Sequence, residues 1–241
     1  MTQEREERQW TMAVDIDRCS GCQACVVACQ AENNIPLNTE DRFLRFRAME
    51  WIRIERYWEG EFPNVKARYI PVLCQQCDNA PCEPVCPVFA TYHNNEGLNV
   101  QVYNRCVGTR FCANNCPYQV RFFNWSEPRW PESFHSHLNP DVTVRTRGIM
   151  EKCTFCVQRI RRASLTAKRE GRPLQDGDVT PACVQACPTD ALTFGDILDT
   201  KSKVAKLANH PRHYRVLEHL GTGPNVIYLK KVDPSAEEHH E

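Results

Sequence analysis

Cys19, Cys22, Cys25 and Cys29 lie within CSGCQACVVAC at the spacing C-x2-C-x2-C-x3-C. Three thiolates so close together wrap one face of an iron–sulfur cubane, and a fourth, carried off on a helix, reaches a second cluster. Ser20, Gly21, Gln23 and Ala24 are the small or polar fillers that such a tight loop needs. Three further groups follow: Cys74, Cys77, Cys82 and Cys86; Cys106, Cys112 and Cys116; and Cys153, Cys156, Cys183 and Cys187. The total of 15 is odd, which excludes a complete set of disulfides, and the clustering points to metal ligation. Zinc is the plain alternative, but it usually draws on separated C-x2-C pairs that close a tetrahedron. The short arc from Cys19 to Cys25, and the Cys-Pro pairs at Cys86, Cys116 and Cys187, favour iron–sulfur clusters. Cys29 is followed by Gln30 instead of proline, a minor departure.

The elements that must position these cysteines repeat. DRCSGCQACVVAC (17–29) lies over NRCVGTRFCANNC (104–116) without a gap, each preceded by strand-like alternation, AVDID and LNVQVY. The second and fourth groups share another plan: C-x2-C, a spacer, then C-x3-C-Pro. CPVFATY mirrors CPTDALTF. In the first overlay Thr109 takes the place of Cys22, so one cubane corner lacks a thiolate and a [3Fe–4S] cluster is expected. The alternative is a [4Fe–4S] centre whose odd iron binds water or hydroxide.

Elsewhere, FLRFRAMEWIRIERYW (43–58) and VKARYIPVL (65–73) read as strands, and Asn95-Glu96-Gly97 as a hairpin turn. TFCVQRIRRASLTAKRE reads as a helix stopped at Gly171. Residues 124–141 are rich in proline, aromatics and polar side chains and read as an irregular insertion. A short helix after Lys201, a GTG turn and the strand NVIYLKK follow, and PSAEEHHE is expected to be disordered.

Composition narrows the function. With 30 basic and 30 acidic residues the formal charge is zero, which argues against a nucleic-acid partner. Mean hydropathy is −0.55, and no apolar run is long enough to cross a bilayer. MTQEREERQW carries no apolar signal segment. No P-loop, Gly-x-Gly-x-x-Gly run or Ser/His/Asp arrangement appears.

From residue 12 to about 200 the cysteine pattern resembles the four-cluster electron-transfer subunits of the complex iron–sulfur molybdoenzyme family. EGLNVQVYNRCVGTRFCANNCPYQVRFFNW and GIMEKCTFCVQRI most resemble the iron–sulfur part of alternative complex III, a quinol oxidoreductase. The resemblance implies an α+β fold of two intertwined bacterial-ferredoxin-like dicluster modules with β-rich insertions. Residues 1–68 and 146–200 would form the outer module and 69–125 the inner one, with an insertion at 126–145 and an extension at 201–241. It implies three [4Fe–4S] clusters, held by Cys19, Cys22, Cys25 and Cys187, by Cys29, Cys153, Cys156 and Cys183, and by Cys74, Cys77, Cys82 and Cys116. Cys86, Cys106 and Cys112 are left for the [3Fe–4S] cluster, which resembles the family's membrane-proximal centre.

Function follows as expectation: one-electron relay, without catalysis by this chain alone. The expected partners are a polytopic quinone-binding membrane subunit, a large molybdoenzyme-like subunit and cytochrome c subunits. The expected location is peripheral on the cytoplasmic membrane, on the outer face, reached by export with a signal-bearing partner. A polysulfide, tetrathionate or sulfite-type molybdoenzyme subunit is the nearest alternative. A soluble enzyme acting at the Thr109 cluster and a purely structural iron–sulfur protein are more distant ones. Lesser candidates are His135 and His137 as ligands, Arg159, Arg161 and Arg162 as a docking run, and Trp125 and Trp130 as interface anchors. Their bland counterparts are a surface loop, a solvated helix face and a loop folded on its own aromatics.

Overall fold

The computed structural model describes residues 8–232. In chain order the elements are β1 (Trp10–Asp15), α1 (Ala24–Glu32), α2 (Glu40–Leu44), β2 (Ile52–Glu59), β3 (Lys66–Leu73), β4 (Thr91–His93), β5 (Asn99–Gln101), α3 (Phe111–Asn114), β6 (Phe122–Phe123) and β7 (Met150–Glu151). Then come α4 (Val157–Arg169), α5 (Ala182–Gln185), β8 (Leu192–Asp196), α6 (Lys203–Ala208), β9 (His213–Tyr214) and β10 (Val226–Leu229). The mixture is α+β. A four-stranded sheet runs β8-β1-β10-β9, with β1 antiparallel to β8 and parallel to β10. Met12, Val14, Val226 and Tyr228 are wholly buried in it. Phe194 stacks on Trp10 at 5.3 Å and meets the Phe155 ring edge-on at 5.2 Å.

The sequence repeat is also a backbone repeat. β1 leads into the first cysteine loop, and β8 leaves the last Cys-Pro turn. β5 leads towards the third loop, and β4 leaves the second group's Cys-Pro turn. Both strand pairs are antiparallel, and Val14 opposite Leu192 corresponds to Gln101 opposite Thr91. One hydrogen bond recurs in both places: Asp15 N–H donates to the Ala191 carbonyl at 2.8 Å, and Val102 N–H to that of Ala90 at 2.7 Å. The β4–β5 pair lies in sequence between β1 and β8.

Several expectations are met. β2 and β3 form a hairpin in the register Ile52–Leu73 to Glu59–Lys66. The Asn94 side chain accepts from the N–H groups of Glu96 and Leu98 to shape the β4–β5 turn, where Gly97 takes φ +76°. α4 ends at Gly171, φ +65°. Residues 124–141 carry only a 3-10 turn at Glu132–His137. The expected strand at 43–50 is corrected, because residues 40–44 form a helix. Thr39 Oγ1 accepts from Arg42 N–H at the N-cap, two acids sit in the first turn, and Arg45 pairs with Asp41 at 2.7 Å. Strand β2 starts only at Ile52, and Phe43, Leu44 and Phe46 stand exposed. The GTG turn leads into β10, which joins the main sheet beside β1. PSAEEHHE and the first seven residues lie outside the described residues.

Candidate iron–sulfur centres

Tight wrapping of a cluster requires left-handed backbone at fixed places. In the first loop these are Gly21 (φ +73°) and Gln23 (φ +62°); in the third they are Gly108 (φ +72°) and Arg110 (φ +64°). Between these matched turns Thr109 stands where the first loop has Cys22. The paired C-x2-C turns repeat the device at Gln76 (φ +47°) and Phe155 (φ +53°), and the Cys-Pro turns at Phe89 (φ +49°), Gln119 (φ +51°) and Asp190 (φ +51°). In two of the Cys-Pro turns the next N–H points back at sulfur: Ala90 N–H donates to Cys86 Sγ at 3.2 Å and Ala191 N–H to Cys187 Sγ at 3.3 Å. Where Cys29 lacks its proline, α1 runs on and Asn33 takes over. Its side-chain amide donates to Cys29 Sγ at 3.5 Å and reaches Cys156 Sγ at 3.8 Å.

The 15 thiols are all unpaired, and they gather in sets. Burial pushes the Cys25 thiol up to about 12, and Cys19, Cys187 and Cys22 push it the same way. Burial raises Cys29 strongly, with Cys153, Cys156 and Cys183 as its charged neighbours. Cys77 is likewise pushed up to about 12 by burial, with Cys74, Cys116 and Cys82 around it. Cys86 behaves differently. Burial opposes its ionisation, yet the N–H groups of Val88, Ala90 and Thr91 and the charge of Arg121 outweigh burial and hold it below the ordinary thiol value. Cys106 accepts from Met150 N–H at 3.3 Å. The repeated strand register sets the Cys106–Cys112 loop beside Cys86 as it sets Cys19–Cys25 beside Cys187.

These sets fit clusters. Four mutually repelling buried thiols ionise together only around cationic metal. Cys74, Cys77, Cys82 and Cys116 line one common hollow together with Ala80, Pro81, Tyr118, Val120 and Arg121.

Neighbouring sets lie within electrostatic reach of one another. Cys183 of the second set feels Cys25 of the first, and Cys153 feels Cys74 of the third. Arg121 spans from Cys82 to Cys112 of the fourth. Every thiol of the Cys29 set is buried, whereas Cys22 is exposed and Cys86 and Cys106 are partly so.

Thr109 is exposed, in a surface hollow with Phe46, Arg47, Arg110, Phe111 and Trp125. Trp125 meets Phe123 edge-on at 4.8 Å, under Arg47 (4.6 Å) and Arg110 (4.8 Å). Trp130 is half-buried, and His135 and His137 are exposed. Arg159 serves the fold: it donates to Glu32 at 2.7 Å and to the Thr180 carbonyl at 2.9 Å. Arg162 pairs with Asp141, and Arg161 is exposed.

Sequence reasoning missed Asn33, Lys152 and Arg121. A signal for Arg121 existed. The fifth residue after each Cys-Pro cysteine is buried, and it is Thr91, Leu192 and Arg121 in the three turns. A charge stands only in the last.

Paired cysteine loops with strand-matched flanks define a protein that holds iron–sulfur clusters in couples. Family models described as "4Fe-4S dicluster domain" match residues 65–132 and 105–191. The chain is 45% identical to the menaquinone reductase iron–sulfur cluster-binding subunit of Nitratidesulfovibrio vulgaris, covering 92% of this chain and 89% of that one. It is 38% identical to the Hdr-like menaquinol oxidoreductase iron–sulfur subunit 1 of Archaeoglobus fulgidus (94% and 85% covered). It is 35% identical to one of the subunits of tetrathionate reductase from Salmonella typhimurium (92% and 72% covered). The chain belongs to this family of iron–sulfur electron-transfer subunits of oxidoreductase complexes.

Proposed function

We propose that the chain relays single electrons between a quinone-reactive membrane subunit and a second redox subunit. It would use three [4Fe–4S] clusters and one [3Fe–4S] cluster on the cysteine sets described above. The succession of neighbouring sets, with every thiol of the Cys29 set buried and Cys22, Cys86 and Cys106 more open, carries this reading. When bound, the clusters supply the one-electron chemistry; the chain spaces them, shields them and aims N–H groups at their sulfurs. The fold is then two intertwined modules, an inner one on β4–β5 nested within an outer one on β1–β8. The Thr109 end, rimmed by Phe46, Phe111 and Trp125, is assigned to the quinone side. Among the described residues no helix is long and apolar enough to cross a membrane, so attachment is assigned to partner subunits.

The relatives' names favour a menaquinone-linked or tetrathionate-type reductase complex at least as much as alternative complex III. The choice fixes whether the large partner is molybdoenzyme-like and whether cytochrome c subunits belong, and an outer-face location rests on the same choice. Purification from detergent-extracted membranes tests the reading. The chain is expected to co-migrate with a polytopic subunit and a large redox subunit, and to carry about 15 irons. Isolation as a free monomer with full activity on a small substrate would sink the relay.

A further inference from the structure

Two cations lie buried between the thiol sets, Arg121 at 6% exposure and Lys152 at 0%. Among the described residues neither has a carboxylate at ion-pair distance. Arg121 Nη1 donates to Cys82 Sγ at 3.2 Å and to Asn99 Oδ1 at 3.1 Å, Nη2 donates to Gln101 Oε1, and Nε is unpartnered. Lys152 Nζ donates to the Cys153 carbonyl at 2.9 Å. Nearby Arg145 shows how the same fold treats a structural cation, with Glu151 at 3.0 Å, both buried. A buried guanidinium held by amide oxygens and a cysteine sulfur, with no carboxylate, is costly unless anions compensate it. The groups that face Arg121 are cysteine sites: it bonds Cys82 of the third set and lines both that set's hollow and the one that holds Thr109 beside the fourth. Lys152, bonded to the Cys153 carbonyl, lies beside the second set.

We propose that Arg121 is a redox-positioning residue, a fixed positive charge shared by the third and fourth clusters that raises the reduction potential of both. This rests on the cluster reading above. Each carrier gains one electron, with no bond made and no proton taken up, and Arg121 keeps its proton in either state. The arriving negative charge is stabilised by a cation in a poorly polarisable interior, so the reduced form is favoured. Because the guanidinium lies between two carriers, it also offsets the repulsion between electrons held on both.

The test is a redox titration followed by electron paramagnetic resonance, on the intact complex, for unmodified protein, Arg121→Gln, Arg121→Lys and Lys152→Met, with iron content measured in each. Arg121→Gln is expected to shift the three-iron centre and its neighbour to lower potential and leave the other two in place. Arg121→Lys should keep the unmodified values. Lys152→Met should lower the second centre without moving the three-iron signal. A fully loaded Arg121→Gln protein with all four potentials unchanged overturns the proposal, and so does an equal shift of all four, the mark of general loosening. If Arg121→Gln fails to retain clusters, Arg121→Lys decides. Retained clusters at unmodified potentials support the role of the charge, and their loss assigns Arg121 to hydrogen-bonded scaffolding and overturns it. Absence of clusters from unmodified protein would instead refute the relay itself.

Discussion

At position 109 a threonine hydroxyl stands where the twin loop presents the Cys22 thiol, on a backbone that is otherwise the same. Replacement Thr109→Cys therefore meets a site already shaped for a fourth sulfur. Iron is expected to rise from about 15 to about 16 per chain, and the paramagnetic signal of an oxidised three-iron centre should vanish. Persistence of that signal in fully loaded, anaerobically kept Thr109→Cys protein would show that the loop does not deliver the thiolate. The neighbouring glycine is under a different constraint. A Cβ on Gly108 would stand 2.1 Å from the Gly148 carbonyl oxygen, at φ +72°. Gly148 itself, at φ +93°, has nothing within 4 Å of such a Cβ. Gly148→Ala should cost only left-handed strain, about 1 kcal/mol. Gly108→Ala adds a clash with backbone and should selectively lose the three-iron signal. Iron analysis and thermal denaturation of the two variants side by side check this.

Among the elements, β10 binds the C-terminal stretch to the β2–β3 hairpin through Tyr228. Its hydroxyl donates to the Pro71 carbonyl at 2.9 Å and accepts from Gln75 at 3.3 Å, and the ring is wholly buried. Tyr228→Phe leaves the packing and strands the carbonyl, so a loss of about 1–2 kcal/mol is expected in denaturation. Helices α1 and α4 are held by Glu32. Burial alone would raise its carboxyl, but Arg159 and Gln158 outweigh burial and keep it below the ordinary 4.5. A depressed carboxyl stabilises fully above its unfolded value and loses that contribution as pH falls through the folded one. The thermal-midpoint gap between unmodified protein and Glu32→Gln should therefore be widest near neutrality and close as pH drops below about 4. The elements were unequally legible. Spacing exposed both loop types, since left-handed turns and thiols must recur at fixed intervals, and alternation exposed the β2–β3 hairpin. The same alternation misled at 43–50, because Phe43, Leu44 and Phe46 face outwards and the local caps and charges at Thr39–Asp41 decide for helix. That NVIYLKK pairs with β1 was not written locally. Parallel partners about 200 residues apart are chosen by burial of the whole sheet, Val226 and Tyr228 against Met12 and Val14.

For the whole molecule, single-file order has a kinetic signature. If the Cys29 set stands second, a protein that has lost that cluster through Cys156→Ser should still accept electrons from quinol at the three-iron centre and its neighbour. The Cys19 set should stay oxidised on the same timescale. Rapid-freeze spectroscopy on the complex distinguishes this from a branched arrangement, in which all remaining centres fill together. The nesting of one strand pair inside the other also orders the protein's birth. While the chain is still emerging from the ribosome, every cysteine of the third and fourth sets has been made by residue 116. The first cysteine loop, although synthesised earliest, must wait for Cys187 to complete its set and for Val226–Leu229 to flank β1. A message cut short before Val226 would thus leave β1 without its parallel neighbour although every cysteine was already in place.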